Sequence, residues 1–264
     1  MPNPNDTQDL LHGQYKTASN LDARIALHLR YSTNQIGWFA WLFNQLNALP
    51  ANATLLEVGC GNGILWKKNR EKIPDGWTIT LTDVSEGILL DAWRNLVVTN
   101  RPFKFKNANA QALPFPDHHF DAVIANHMLY HVPHIEEAIR EAQRVLKPGG
   151  LFVASTNGQK HMAELMPHIQ TLDPDNTFFS HTFFTLENGF KYLEPVFSSV
   201  ARLEYDDSLV IDQVEPVISY LLSGIDPQAV SQEKISSVEA ALQKQLQEKG
   251  QIYVSKSSGV FICN

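Results

Sequence analysis

Leu55-Leu56-Glu57-Val58-Gly59-Cys60-Gly61-Asn62-Gly63-Ile64-Leu65 is the stretch on which the reading of this chain turns. An apolar run meets glycines at alternate positions and then a second apolar pattern, which reads as a buried strand, a tight turn and a helix. Such a turn brings bare backbone N–H groups and the positive end of a helix close to a ligand. The spacing is not that of a dinucleotide fingerprint. G-x-G-x-x-G opening at Gly59 needs glycine at 64, where Ile64 stands, so NAD(P) and a Rossmann oxidoreductase are disfavoured.

Outward from this stretch, short apolar runs at Thr54–Val58, Thr78–Thr82, Phe120–Ala125 and Leu151–Ser155 alternate with helical patterns at 64–72, 86–99 and 134–146. Alternation of this kind specifies βαβ units and a parallel sheet. The second strand ends Leu81-Thr82-Asp83-Val84-Ser85, with Ser85 placed to cap the next helix. A carboxylate at that strand tip can accept both hydroxyls of an adenosine ribose. Further on stand Asn107-Ala108-Asn109-Ala110-Gln111-Ala112-Leu113-Pro114-Phe115, then Phe120-Asp121-Ala122-Val123-Ile124-Ala125-Asn126-His127, and a closing Arg144-Val145-Leu146-Lys147-Pro148-Gly149-Gly150.

In this order and spacing, over about residues 53–156, these runs resemble the class I S-adenosylmethionine-dependent methyltransferases, in particular the small-molecule group around the ubiquinone and menaquinone enzymes. The family motif E-x-G-x-G-x-G is matched by Glu57, Gly59, Gly61 and Gly63, with Cys60 inside the turn. The resemblance implies a Rossmann-like α/β fold: a seven-stranded, mostly parallel sheet with an antiparallel last strand and helices on both faces. It implies S-adenosylmethionine as cofactor, with Glu57, Gly59, Cys60 and Gly61 binding it through the glycine loop and Asp83, followed by Val84, on its ribose. In the related loop G-D-A-x-x-L-P-F the aspartate receives the adenine amino group and the next N–H meets a ring nitrogen. Asn109 replaces that aspartate and Ala110 follows it, so the contact is kept without charge. Asn126 and His127 are carried over as neighbours of the methionine part. A leading helical segment with Tyr15, Arg24 and Tyr31 is expected to cover the cofactor, Arg24 being a candidate partner for its carboxylate.

The remaining sequence sets the surroundings. Residues 10–48 read as two or three helices, and the aromatic run Trp38–Phe43 reads as a core or lid helix. After 157 the expected elements are helices near 160–170, 185–195, 213–223 and 231–249, a strand near 199–211, and an antiparallel edge made of Ile252–Val254 and Gly259–Cys263. The 264 residues are taken as a single methyltransferase domain: a helical lid at 1–50, a cofactor-binding core at 51–157, and late strands with a substrate cap at 158–264. His127 and His131, four apart, are weighed as metal ligands or general bases, but no third ligand is placed, no metal is expected and the catalytic residues stay unassigned.

Charge narrows the partners. Residues 1–50 carry three basic and three acidic groups and residues 51–156 eleven of each, so the whole net charge of −7 comes from 7 basic and 14 acidic groups after 156. No segment supplies the basic stripe that nucleic-acid binding needs. The longest apolar run, Ile36–Phe43, is too short to cross a bilayer, and the first residues do not read as a signal peptide; a cytoplasmic protein with no membrane partner is expected. Cys60 and Cys263 read as free thiols. The acidic excess, with Glu204, Asp206, Asp207, Asp212 and Glu215 inside twelve positions, suggests a neutral or amine-bearing small-molecule acceptor over a phosphorylated one. The expected activity is in-line methyl transfer to that acceptor, and the alternative is an S-adenosylmethionine-binding protein without turnover.

Overall fold

The structure, a computed structural model, describes residues 19–176, 183–226, 228 and 230–264; Tyr15 lies outside them. Helices α1 (Ser19–Tyr31) and α2 (Trp38–Asn44) precede an alternating series: β1 (Thr54–Val58), α3 (Ile64–Lys68), β2 (Thr78–Asp83), α4 (Glu86–Val97), β3 (Phe103–Asn107), β4 (Phe120–Asn126), α5 (Ile135–Val145) and β5 (Leu146–Asn157). Then come α6 (Met166–Leu172), α7 (Gly189–Leu193), β6 (Val200–Tyr205), β7 (Ser208–Ile211), α8 (Glu215–Leu222), α9 (Gln232–Lys249), β8 (Ile252–Ser255) and β9 (Ser258–Cys263).

Seven strands form one sheet in the order β3-β2-β1-β4-β5-β9-β6. The pairs from β3 through β5 are parallel, and β9 runs antiparallel to both β5 and β6. Because side chains alternate across a strand, Leu56 and Val58 enter the cluster under α5 and α7, while Leu55 enters the opposite cluster under α2, α3 and α4. The two-sided burial explains why the central strands are near-continuous apolar runs. A third cluster, built from Leu27 and Tyr31 of α1 with α6, α8, α9 and the two-stranded sheet β7-β8, forms the cap.

Three details differ from the sequence reading. β3 was not expected as a strand: its Phe-Lys-Phe-Lys alternation lies at a sheet edge with both lysines exposed, so it lacks the apolar run of its neighbours. The segment 199–211 is two strands, broken at Asp206-Asp207, which leave the main sheet for the cap. The last two strands are not one antiparallel edge either: β9 is interior, between β5 and β6, while β8 pairs with β7 in the small sheet. The caps do follow the sequence, since Ser85 Oγ accepts from Ile88 N, Ser231 Oγ accepts from Lys234 N and Gly250 ends α9 in the left-handed region.

Arg144 on α5 fastens the loop after β3 to the core. It donates to the carbonyls of Leu113 and Phe115, at 2.9 Å each, and pairs with Glu141 and Asp117. The half-exposed ion pairs count for little, but the two carbonyls would lose their partner. Arg144→Met should therefore lower the unfolding free energy by about 2 kcal/mol. The check is a urea denaturation midpoint measured at unchanged slope.

Candidate functional site

The strand order reverses direction at β1, whose neighbours β2 and β4 lead to opposite sides. A crevice opens at such a switch point, beyond the carboxyl ends of the strands. Here it is a cavity of about 560 Å³ reached by the ends of β1, β2, β3, β4 and β5 and covered by α1, the segment 34–39 and Tyr220 of α8.

Gly59, Gly61 and Gly63 all have positive φ, at 65°, 54° and 73°. Glycine is required at 59 for a second reason, since a Cβ there would stand 2.8 Å from Met128 Cβ. The turn is held from two sides: Cys60 N donates to Thr82 O at 2.9 Å, and Asn62 Nδ2 donates to Asp22 Oδ1 of α1 at 2.6 Å. Asp83 closes it, accepting from Gly61 N at 3.2 Å and from Ser85 N at 3.0 Å. Burial raises the Asp83 pKa to about 6 against those stabilising hydrogen bonds.

Of the residues expected to hold a cofactor, Arg24, Gly59, Cys60, Gly61, Asp83, Val84, Asn109, Ala110 and Asn126 all line this one cavity. Asn109 Oδ1 accepts from Gln111 N at 3.0 Å, so its amide shapes the loop as well as facing the cavity. Asn126 Oδ1 is fixed by Ser155 Oγ at 2.8 Å and by Trp38 Nε1 at 3.4 Å. Glu57 is placed elsewhere. It is 1% exposed, outside the cavity lining, and accepts from Trp66 Nε1. Strand alternation puts it on the face of Leu55, toward α3, so it supports the turn from behind. Tyr31 likewise turns away, into the cap cluster. Burial raises the Glu57 pKa to about 8.

The far end of the cavity was not legible as a site in the sequence. It is walled by His28, Asn157, His161, Tyr220, Lys256 and Ser258. Lys256 forms an ion pair with Asp207, the two side chains being 5% and 0% exposed. Asp207 also accepts from Ser32 Oγ at 2.8 Å and from Thr33 N and Asn34 N at 3.1 Å each, which ties the chain between α1 and α2 to the cap. The acidic cluster therefore does not bias the cavity toward amines: Glu204, Asp206, Asp212 and Glu215 are exposed and absent from its lining, and Asp207 is neutralised by Lys256. His127, with φ 52°, packs against Trp38 with ring centroids 4.8 Å apart and planes tilted by 41°, and among the described residues no group of three His, Cys, Asp or Glu gathers to hold a metal. No helix among them is long and apolar enough to cross a membrane.

Comparison with known proteins adds an independent line. Residues 56–154 match the family described as "Methyltransferase domain". The ubiquinone/menaquinone biosynthesis C-methyltransferase UbiE of Rickettsia bellii is 36% identical over 119 residues, which are 43% of this chain and 48% of that one. The chain thus spans about half the length of the curated relatives it matches. Among solved structures, the [4+2]-cyclase SpnF superposes with a TM-score of 0.61 at 19% identity, covering 100% of this chain and 97% of that one. Phosphoethanolamine N-methyltransferase 2 of Haemonchus contortus, in complex with S-adenosyl-L-methionine, gives 0.62 at 14% identity, covering 97% of this chain and 59% of that one.

The buried Glu57 carboxyl makes a prediction about stability. Its folded pKa near 8 stands above its ordinary 4.5, so between those values the folded state keeps a proton that the unfolded chain releases. Stability then falls as pH rises through that interval. Glu57→Gln keeps an acceptor for Trp66 and removes the titration, so its melting temperature should gain on the wild type as pH goes from about 5 to 8. Paired thermal melts across that range are the check; a constant difference contradicts the assignment.

Proposed function

We propose that this chain, whose residues 56–154 match a methyltransferase-domain family, is a class I, S-adenosylmethionine-dependent enzyme that transfers the cofactor's methyl group to a small molecule held under α1 and α2. The observation that carries the reading is the Asp83 carboxylate, half-buried at the tip of β2 beside the glycine turn and facing the cavity. A ribose diol is the ligand group that such an acceptor suits. In this reading the N–H groups of Gly59, Cys60 and Gly61 border the methionine part, Arg24 meets its carboxylate, and Val84, Asn109 and Ala110 border the adenine. Asn126, held by Ser155 and Trp38, borders the sulfonium side. Glu57 acts only through Trp66, by keeping α3 and the turn in place.

The sulfonium makes the methyl group electrophilic when the cofactor is bound. The protein's share is to align the acceptor with it in line and to exclude water. The core and the cap, sharing α1 and the 32–34 contacts to Asp207, work as one domain with a lid and a cap. The acceptor of the matched relatives is implied by their name as a quinone precursor. Here the residues that would choose the acceptor come from 19–39 and 157–258, outside the matched stretch, so the acceptor is read from the cavity instead.

Three measurements test this. S-adenosylhomocysteine, saturating at about a hundredfold excess over Kd, should stabilise the fold by about 2.7 kcal/mol. Asp83→Ala should bind it roughly 10- to 100-fold more weakly, since hydrogen bonds to a charged acceptor contribute about 1.5–3 kcal/mol. Asn109→Asp should tighten binding modestly, because aspartate keeps the turn to Gln111 and adds charge facing the adenine amino group. Calorimetric titration reads both, and weaker binding by a folded Asn109→Asp variant would show that Asn109 does not accept that bond. Turnover on any acceptor separates a transferase from a protein that only binds the cofactor.

A further inference from the structure

The seven-stranded sheet ends in β3 on one side and in β6 on the other, and the two edges are finished differently. Along β3 the exposed Lys104 and Lys106 share a face, so a second strand of the same sequence would bring lysine against lysine, which blocks edge pairing. β6 has no such block. Its residues Ala201, Arg202, Leu203 and Glu204 are all exposed, so neither face of the strand is covered there, and among the described residues only β9 pairs with it. Where that ladder begins, Ser199 N donates to Asn264 O at 3.2 Å and Asn264 N donates to Ser199 O at 3.1 Å. Antiparallel bonding alternates, so Ala201 and Leu203 also bond inward to β9, while the N–H and C=O groups of Arg202 and Glu204 point out from the edge. Leu203, 42% exposed, lies between these two on the other face of the strand.

We propose that β6 is a homodimer interface, on which the β6 of a second copy of this chain adds antiparallel about a two-fold axis through Leu203, joining two seven-stranded sheets edge to edge. Charge selects both the occupant and the register. Residues opposite each other across an antiparallel pair lie on one side of the sheet, and outward backbone groups must meet outward backbone groups. Three registers, with the axis at residue 202, 203 or 204, meet both conditions. The first sets Arg202 against the partner's Arg202 and the last sets Glu204 against the partner's Glu204, so each opposes like charges. The middle one sets Arg202 against the partner's Glu204 and Glu204 against the partner's Arg202, while the two Leu203 side chains meet at the axis as the close, non-hydrogen-bonded pair. Each Arg202–Glu204 pairing then carries two backbone hydrogen bonds. Within one chain Arg202 Nη2 already lies 2.9 Å from Glu204 Oε1, so the second copy completes a square of alternating charge. Such an interface is isologous and uses up the open edge, so assembly stops at two. None of this depends on the cofactor reading.

Sedimentation equilibrium of the full chain tests this, and the mass should rise with concentration from 29.7 kDa toward twice that value. Glu204→Arg sets arginine against Arg202 at both pairings and should weaken dimerisation roughly tenfold or more. Adding Arg202→Glu to the same chain restores opposite charges and should recover the dimer. The register has its own test. Leu203→Cys places two thiols at the axis with Cα atoms about 4.5 Å apart, within disulfide reach, so oxidation by copper phenanthroline should trap a covalent dimer. Ala201→Cys, opposite the partner's Tyr205, should cross-link far more slowly, and the native Cys60 and Cys263 are buried and do not compete. All the substituted positions are exposed, and circular dichroism melts matching the wild type show that the variants fold. A wild type that stays at 29.7 kDa at every concentration, a dimer that Glu204→Arg leaves unchanged, or a Leu203→Cys chain that cross-links no faster than Ala201→Cys overturns the proposal.

Discussion

The Asp83 carboxylate joins the end of β2 to the glycine turn by accepting from Gly61 N and Ser85 N. Both sides of that contact depend on it. The turn has three residues in the left-handed region and one backbone bond across it, from Gly63 N to Cys60 O, while burial raises the pKa of the carboxylate to about 6. The sheet makes the arrangement possible by setting β1 and β2 in register, with Glu57 opposite Leu81 and Val58 opposite Thr82, so that the turn and Asp83 emerge side by side. The cavity, the lid and the cap are all built around this junction: Asn62 fastens α1 to the turn through Asp22, and α1 continues into the segment that Asp207 fastens to the cap.

Two kinds of polar burial serve different ends here. Glu57 and Trp66 form a buried pair behind the turn, where the indole N–H donates to a carboxyl that burial biases toward its neutral form. Lys256 and Asp207 form a charged pair at the cavity's far end, and Asp207 is further satisfied by Ser32, Thr33 and Asn34. Buried ion pairs contribute little net stability, but breaking one is costly. The pair therefore acts chiefly as a positional constraint, fixing where the lid segment meets the cap.

The core was legible in the sequence because its signals are local. The three glycines, Asp83 twenty residues later, the Asn109 loop and the Asn126 strand end each sit at a fixed distance from a strand, and strand and helix periods are readable one element at a time. β3 escaped because an edge strand with exposed lysines has no continuous apolar run. Glu57 was expected at the ligand because a motif names residues without saying which face of the strand they occupy. The far end of the cavity escaped for a deeper reason. His28, His161, Tyr220 and Lys256 come from four separate elements, and only the cap cluster brings them together. The acidic run misled in the same way, since the count of charges says nothing of which side of β6 and β7 they face.

The most direct measurement is a crystal structure of the complex with S-adenosylhomocysteine. The account predicts both ribose hydroxyls within hydrogen-bond distance of the Asp83 carboxylate, the adenine between Val84 and Ala110, and the sulfur directed past Asn126 toward the far end of the cavity. A ligand whose ribose lies away from Asp83, or whose sulfur faces solvent with that end closed off from it, would contradict it.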